Sequence, residues 1–220
     1  MKPIAHIRCD LKTKFGVPRQ SGLIEGLEAD IVFEPEFRRP EALRGLEGFS
    51  HIWLLWDFSE AHREEWSPTV RPPRLGGNKR MGVFATRSPF RPNPIGLSAV
   101  LIREILWDTP EGPVIRVEGA DLMDGTPILD IKPYLPFTDA HPEAKGGFTE
   151  ETAVQEPLQV DMPDAIRERF GERQAEVLRQ LLAADPRPHY QQDDKRVYCI
   201  EYAGEEIRFR VEDKRVIVIA

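Results

Sequence analysis

The chain has 220 residues, of which 40 % are hydrophobic and 30 % charged, with a net charge of −7; such a length suits one ample domain, or a domain with a small appendage, of soluble globular type. No apolar run exceeds segments such as Ile52 to Trp56, which excludes a membrane-spanning helix, and residues 1–10 lack the apolar core of a secretory signal, so a cytoplasmic address is expected. Two cysteines, Cys9 and Cys199, are too few for a disulfide framework and are expected as thiols.

Taken in chain order, residues 1–137 read mainly as strands. β-Branched and aromatic runs lie at 6–9, 29–33, 51–58, 82–86, 97–107, 114–118 and 128–131, separated by glycine and proline turns, and predict an antiparallel barrel or sandwich. A short helix is expected at 40–46, with Pro40 in its first turn, plugging one barrel end. Residues 138–157 turn polar, with Pro142, Gly146, Gly147 and Pro157, and read as a linker or mobile loop, set here at 138–160. From 161 to 220 a small α+β appendage is expected. Ile166, Phe170, Val177, Leu178, Leu181 and Leu182 recur at helical spacing, Pro163 and Asp164 suit a helix start, and Gly171 a break. Strands then follow at 196–202, 206–211 and 215–220, joined by Ala203-Gly204 and Asp213-Lys214 turns.

Several chemistries are excluded by missing motifs. No G-x-G-x-x-G follows a strand, no phosphate-binding P-loop exists, and there is neither a G-x-S-x-G elbow nor an H-E-x-x-H helix. The five histidines lack metal-ligand spacing, so no metal is expected; His6, Cys9 and His51 make only a remote zinc set. The acidic average hides one basic stretch. From Trp66 to Arg103 there is no acidic residue, yet Arg71, Arg74, Lys79, Arg80, Arg87, Arg91 and Arg103 all fall there. Its prolines and glycines suit either a preorganised anion site or an ordinary proline-rich crossover. A second candidate, residues 120–127, places Asp121 and Asp124 around a turn, which turn chemistry alone also explains. A third places Asp130, Lys132 and Tyr134 at alternate positions, on one strand face before Pro133 disturbs it, with a buried ion pair as the plain alternative. Trp53, Trp56, Trp66 and Phe90 suit base stacking, although a core role is the commoner fate of such aromatics.

At these segments the sequence resembles the TsaA-like family, the tRNA threonylcarbamoyladenosine methyltransferases called TrmO. The match is carried by Pro18-Arg19-Gln20, the run from Gly48 to Trp53, residues 71–81, Thr86-Arg87-Ser88, the run from Arg91 to Gly96, and residues 121–127 and 130–134. It spans roughly residues 4–137, and Asp185-Pro186-Arg187-Pro188 with Tyr190 also resembles the appendage of longer bacterial members. Where many members read Ile-Arg-Ser-Pro, this chain has Ile7-Arg8-Cys9-Asp10, so the start of the loop leading to Pro18 is expected to differ.

The resemblance implies a small antiparallel β-barrel that binds S-adenosylmethionine in a cleft between the two copies of a homodimer and methylates N6 of threonylcarbamoyladenosine in tRNA. Carried over motif by motif, Pro18, Arg19, Gln20, Ser59, Glu60, Arg87, Leu97, Asp121, Leu122, Met123, Asp124, Gly125 and Thr126 become cofactor-site candidates. Asp130, Lys132 and Tyr134 are assigned to catalysis, with Lys132 stabilising charge on the carbamoyl oxygen and a neighbour assisting loss of the N6 proton. Arg71, Arg74, Lys79, Arg80 and Arg91 are assigned to RNA. Two rival readings are a non-catalytic RNA-binding barrel and a methyltransferase of the same fold acting on a small molecule.

Overall fold

The computed structural model describes every residue except 73, 74, 76–78, 151–155, 188–195 and 220. Arg74, Pro188 and Tyr190 therefore lie outside the described residues. The strands β1 (Ala5–Cys9), β2 (Glu28–Phe33), β3 (His51–Asp57), β4 (Thr69–Val70), β5 (Met81–Gly82), β6 (Ile95–Leu106), β7 (Val114–Glu118) and β8 (Pro127–Pro133) make up the first part. Six of them close into a barrel in the order β1-β2-β7-β6-β3-β8, with β4 and β5 forming a separate two-stranded ribbon. Every ladder in the barrel is antiparallel.

Side-chain alternation explains why the sheet curls around its own core. Along β3, Ile52, Leu54 and Trp56 are buried, whereas His51, Trp53 and Leu55 face outward. Ile7, Ile31, Ile115 and Ile128 join them from neighbouring strands, and each such aliphatic contributes about 1.5–3 kcal/mol by leaving water. The fold is mainly β with a closed antiparallel barrel, the one of the two architectures left open by the strand pattern that the resemblance implies.

Two local expectations need correction. In place of one helix at 40–46 there are two 3₁₀ turns, Pro40–Leu43 and Leu46–Gly48, because Gly45 between them takes φ 87°, which ends a helix. Leu43 is nevertheless buried in the barrel core. The strand expected at 82–86 stops at Gly82. There the Val83 amide is taken by the Pro68 carbonyl, and Thr86 folds back so that both its amide and its hydroxyl bond the Val83 carbonyl, making a 3₁₀ turn over Val83–Ala85.

The segment expected as a linker holds a helical turn, α1 (Pro136–Asp139), a 3₁₀ turn at Gly147–Thr149, and the start of a strand, β9 (Gln159–Asp161). Helix α2 (Asp164–Ala183) follows, interrupted by Gly171 at φ 72° and ψ 165°. Strands β10 (Tyr198–Tyr202), β11 (Glu205–Glu212) and β12 (Arg215–Ile219) form a meander, and β9 adds to β12 in parallel. Ala203-Gly204 and Asp213-Lys214 all have positive φ, as two-residue hairpin turns require. Leu178, Leu182, Ile200 and Phe209 centre this second core, which also takes in Leu11, Ile24 and Leu27 from the segment between β1 and β2.

Candidate active site

At one end of the barrel, three loops distant in sequence meet. The β1–β2 segment supplies Gln20 and Ser21, the turn after β5 supplies Arg87, and the segment between β7 and β8 supplies Asp121. Arg87 donates a hydrogen bond to the Gln20 side-chain oxygen. Gly22 and Gly119 pack backbone to backbone, the Gly22 amide bonding the Gly119 carbonyl at 2.8 Å, and this holds the first loop beside the third. Both glycines have positive φ, and a Cβ on Gly119 would stand 3.1 Å from the Gly22 backbone.

The Asp121 carboxylate is the chemical centre of this cluster. Its Oδ1 accepts from the Ser98 hydroxyl at 2.5 Å, and Ser98 in turn accepts from the Trp56 indole N–H at 3.0 Å. Burial pushes the Asp121 carboxyl above the usual carboxylate range, while the Ser98 hydrogen bond and the nearby Arg87 charge oppose that shift. A half-buried acid beside a guanidinium can hold a cationic group, and the guanidinium can hold a carboxylate. Ser98 and Trp56 were not singled out from the sequence as partners of Asp121. The signal was weak: a serine at an inward position of an otherwise aliphatic strand.

The rest of the 121–126 run also makes contacts within the protein. Leu122 is buried in the barrel core. Asp124 accepts from the Cys9 amide at 2.9 Å and from Lys12 at 2.7 Å; burial raises its pKa, but these two donors outweigh it and hold the carboxyl below the ordinary range. Thr126 bonds the Met123 carbonyl through its hydroxyl at 2.6 Å, and Gly125 takes φ 78°, so Met123 to Thr126 is a tight turn. Cys9 lies under this turn, and burial pushes its thiol up to about 11, which keeps it protonated at neutral pH.

Ser59 and Glu60 are exposed just beyond β3, where Lys14 of the β1–β2 loop pairs with Glu60 at 2.9 Å. Leu97 is 52 % exposed on the outer face of the barrel, paired across the sheet with Leu55, which is paired on its other side with Asp130. Asp130 and Lys132 share that outer face and form an ion pair at 2.8 Å; it is solvent-exposed rather than buried. The Tyr134 ring lies tilted against Trp53 with centroids 5.4 Å apart, and the Trp53 indole is held by Asp139 at 2.8 Å. Among the described residues, no hydrogen bond or ion pair joins Asp130, Lys132 or Tyr134 to Gln20, Arg87 or Asp121. On the sheet, Leu55 lies between Asp130 and Leu97.

The cations expected at RNA divide into two kinds. Arg71 and Lys79 are exposed and have no ion-pair partner among the described residues, and Arg80 bonds only the Thr69 hydroxyl, at 3.0 Å. Arg91 instead reaches the carbonyls of Val83 and Thr86 at 3.5 and 3.4 Å, bracing the turn that carries Arg87. Trp66 and Phe84 lie exposed with ring centroids 6.0 Å apart, and Arg63 covers Phe90 at 3.7 Å, whereas Trp56 is core. A hollow of about 280 Å³ lined by Pro40, Glu41, Arg44, Glu47 and Trp107 contains none of the candidates. Among the described residues, no group of three metal-ligating side chains is found, and no helix is long and apolar enough to cross a membrane.

Comparison with known proteins bears on both halves of the chain. Residues 6–140 match the tRNA-methyltransferase O N-terminal domain, and residues 155–220 the TrmO C-terminal domain. A tRNA (adenine(37)-N6)-methyltransferase of Escherichia coli K12 is 40 % identical over 224 residues, covering 99 % of this chain and 95 % of that one. A putative S-adenosylmethionine-dependent methyltransferase of Pseudomonas aeruginosa is 40 % identical over 201 residues, covering 88 % of this chain and 84 % of its own length. The crystal structure of TrmO from Pseudomonas aeruginosa superposes with a TM-score of 0.76 at 31 % identity, covering 99 % of this chain and 95 % of that one. With a barrel that lacks any Rossmann motif and family matches across both parts, the chain belongs to the TrmO family of tRNA methyltransferases.

Proposed function

We propose that this chain transfers the methyl group of S-adenosylmethionine to N6 of the adenosine at position 37 of tRNA, in its N6-threonylcarbamoyl form, as a homodimer in the cytoplasm. The observation that carries the reading is the convergence of Gln20, Arg87 and Asp121 at the barrel end, in a chain whose relatives are named for this cofactor and this nucleotide. Residues 1–137 are taken as the enzyme unit, 138–160 as a linker whose final residues enter β9, and 161–220 as an appendage.

When bound, S-adenosylmethionine supplies an electrophilic methyl on a sulfonium, together with a carboxylate, an ammonium and a purine. The donor set fits such a molecule: Arg87 and Arg19 suit the carboxylate, Asp121 a cationic group, and Leu97 and Met123 an apolar ring. Pro18 stiffens the loop that carries Gln20. Ser98 fixes the Asp121 carboxylate in one orientation, so that it does not reorganise on binding. The acceptor N6 is a poor nucleophile because its lone pair is delocalised into the purine and the carbamoyl group. To Asp130, which pairs with Lys132, we assign removal of the N6 proton, to Lys132 the balance of charge on the carbamoyl oxygen, and to Tyr134 the orientation of that group.

The outer-face row of exposed Leu97 with half-buried Leu55 and Trp53 supports the homodimer, because apolar side chains left in water on a sheet face are covered at low cost by a second copy. Arg71, Lys79 and Arg80 are assigned to RNA phosphates. The test is to incubate the protein with S-adenosylmethionine and tRNA carrying or lacking the threonylcarbamoyl group, then weigh the digested nucleosides. A methyl gain confined to threonylcarbamoyladenosine supports cofactor, acceptor and reaction together. Cofactor binding without methyl gain removes the substrate assignment, and absence of cofactor binding favours an RNA-binding barrel.

A further inference from the structure

The loop that carries Arg19 and Gln20 does not rest on the barrel alone. Its two ends are built into the appendage: Leu11, Ile24 and Leu27 are buried with Leu178, Leu182 and Phe209. Leu11 bridges to Tyr202, and the Ala203 amide donates to the Asp10 carbonyl at 3.2 Å. Gln180 on α2 grips the backbone of Glu25 from both sides, accepting from its amide at 2.9 Å and donating to its carbonyl at 3.4 Å. Midway along the loop, a Cβ on Gly16 would already touch Ile200 at 3.4 Å.

Beyond the end of α2, Asp185 takes φ 50°, and its carboxylate clasps Arg187 through Nε at 2.8 Å and a terminal nitrogen at 3.0 Å. Both side chains are largely withdrawn from solvent, at 16 % and 13 % exposure. This clasp sets the Asp185 and Arg187 carbonyls so that Arg19 donates to each at 3.3 Å. Arg19 is followed directly by Gln20, which accepts from Arg87, and Arg87 lies beside Asp121. By contrast, arginines on the outer surface of the appendage are largely neutralised in ion pairs, as Arg208–Glu206, Arg210–Glu212 and Arg215–Asp161 illustrate, which makes that surface a poor magnet for phosphate.

We propose that the Asp185–Arg187 clasp is a positioning element for the cofactor loop: the appendage acts through Arg19 to hold Gln20 and Arg87 in place for S-adenosylmethionine. The proposal rests on the cofactor site assigned above. Arg187 and Asp185 act through Arg19 and are positioning residues. Loosening the clasp leaves the loop to be ordered at the moment of binding, and that ordering is charged against affinity for the cofactor.

The test is Arg187→Met, which keeps the buried stem and removes the fork, with Arg187→Lys as the conservative control and Asp185→Asn as a second route to the same loss. Cofactor affinity is read by calorimetry, tRNA affinity by filter binding, folding by thermal melting, and loop order by amide exchange over residues 14–22 without cofactor. The expected result is S-adenosylmethionine binding weakened about tenfold, the loss of roughly one charge-assisted hydrogen bond, with partial recovery in Arg187→Lys. Exchange over 14–22 should quicken, and tRNA affinity should hold. Unchanged cofactor affinity and unchanged exchange in a folded variant would overturn the proposal, as would a loss confined to tRNA affinity, which would make the appendage an RNA-binding module. Should Arg187→Met not fold, Asp185→Asn carries the same reading. A wild-type chain that binds no S-adenosylmethionine, with exchange still quickened in the variants, removes the proposed function and leaves the clasp standing.

Discussion

The indole of Trp56 lies flat against Gly96 on the neighbouring strand: a Cβ added there would fall 2.1 Å from Cε2 and 2.4 Å from Cζ2 of the ring. The same indole donates to Ser98, two residues further along β6. Gly96→Ala must therefore displace a buried tryptophan that orients the partner of Asp121. It should destabilise the barrel by about 3 kcal/mol or more, at the upper end of overpacking effects. Thermal melting of Gly96→Ala, Trp56→Leu and the double variant should show strong coupling, with the second substitution costing far less in the presence of the first.

Asp121 and Asp124, three residues apart, should respond to pH in opposite senses. The folded pKa of Asp121 is raised, chiefly by burial, so ionisation is easier in the unfolded chain and stability falls as pH rises through the carboxylate range. Asp121→Asn should thus leave stability little changed in acid and increase it towards neutrality, while weakening cofactor binding. Urea titrations at a series of pH values measure this; a variant less stable than the parent at neutral pH would show that the charged form is favoured.

For Asp124 the folded pKa is depressed, because Lys12 and the Cys9 amide outweigh burial. Its contribution is present above the ordinary carboxylate pKa and is lost as pH falls through the folded value. Asp124→Asn should cost about 1 kcal/mol near neutrality, a modest figure because the Lys12 side chain is 41 % exposed, and next to nothing in acid.

Lys132→Met and Tyr134→Phe should leave S-adenosylmethionine affinity intact and reduce kcat by about 10²-fold, the usual scale for a positioned proton-transfer or charge-balancing group. Single-turnover kinetics with both ligands saturating reads this directly. Full activity in both variants would move catalysis away from the outer face of β8.

The cations in the acid-free stretch should separate by role. Arg71→Ala and Lys79→Ala should each lower the slope of log affinity for tRNA against log salt by roughly 0.7, since each removes one contact with single-stranded phosphate. Arg91→Ala should instead lower the melting temperature with little change of slope, because its guanidinium braces the carbonyls of Val83 and Thr86.

The strands were legible in the sequence because strand burial follows a period of two: Ile52, Leu54 and Trp56 alternate with outward neighbours as the pattern requires, while closure into a barrel rather than a sandwich came from the family resemblance. The break at Gly171 and the Ala203-Gly204 and Asp213-Lys214 turns were legible because positive φ leaves a compositional trace. The turn at Val83–Ala85 was not, since it depends on a hydroxyl of Thr86 outcompeting a ladder that β-branched residues would otherwise favour. Nor was the pairing of Ser98 with Asp121, or of Arg19 with the Asp185 turn. These join positions far apart in the chain, and a single sequence carries no period or spacing that records such a meeting.

The barrel's final seam joins β1 to β8 through Ala5 with Ile128 and His6 with Pro127, and continues where the Asp124 and Gly125 amides bond the carbonyls of Leu11 and Ile7. The loop holding Gln20 departs from one side of that seam and the segment holding Asp121 arrives at the other. During folding, the two become neighbours only when contacts spanning more than half the chain have formed, and such contacts are the slow ones. A barrel with that seam open keeps Gln20 and Asp121 apart, so any ligand held by both adds stability to the closed form in proportion to RT ln(1 + [L]/Kd).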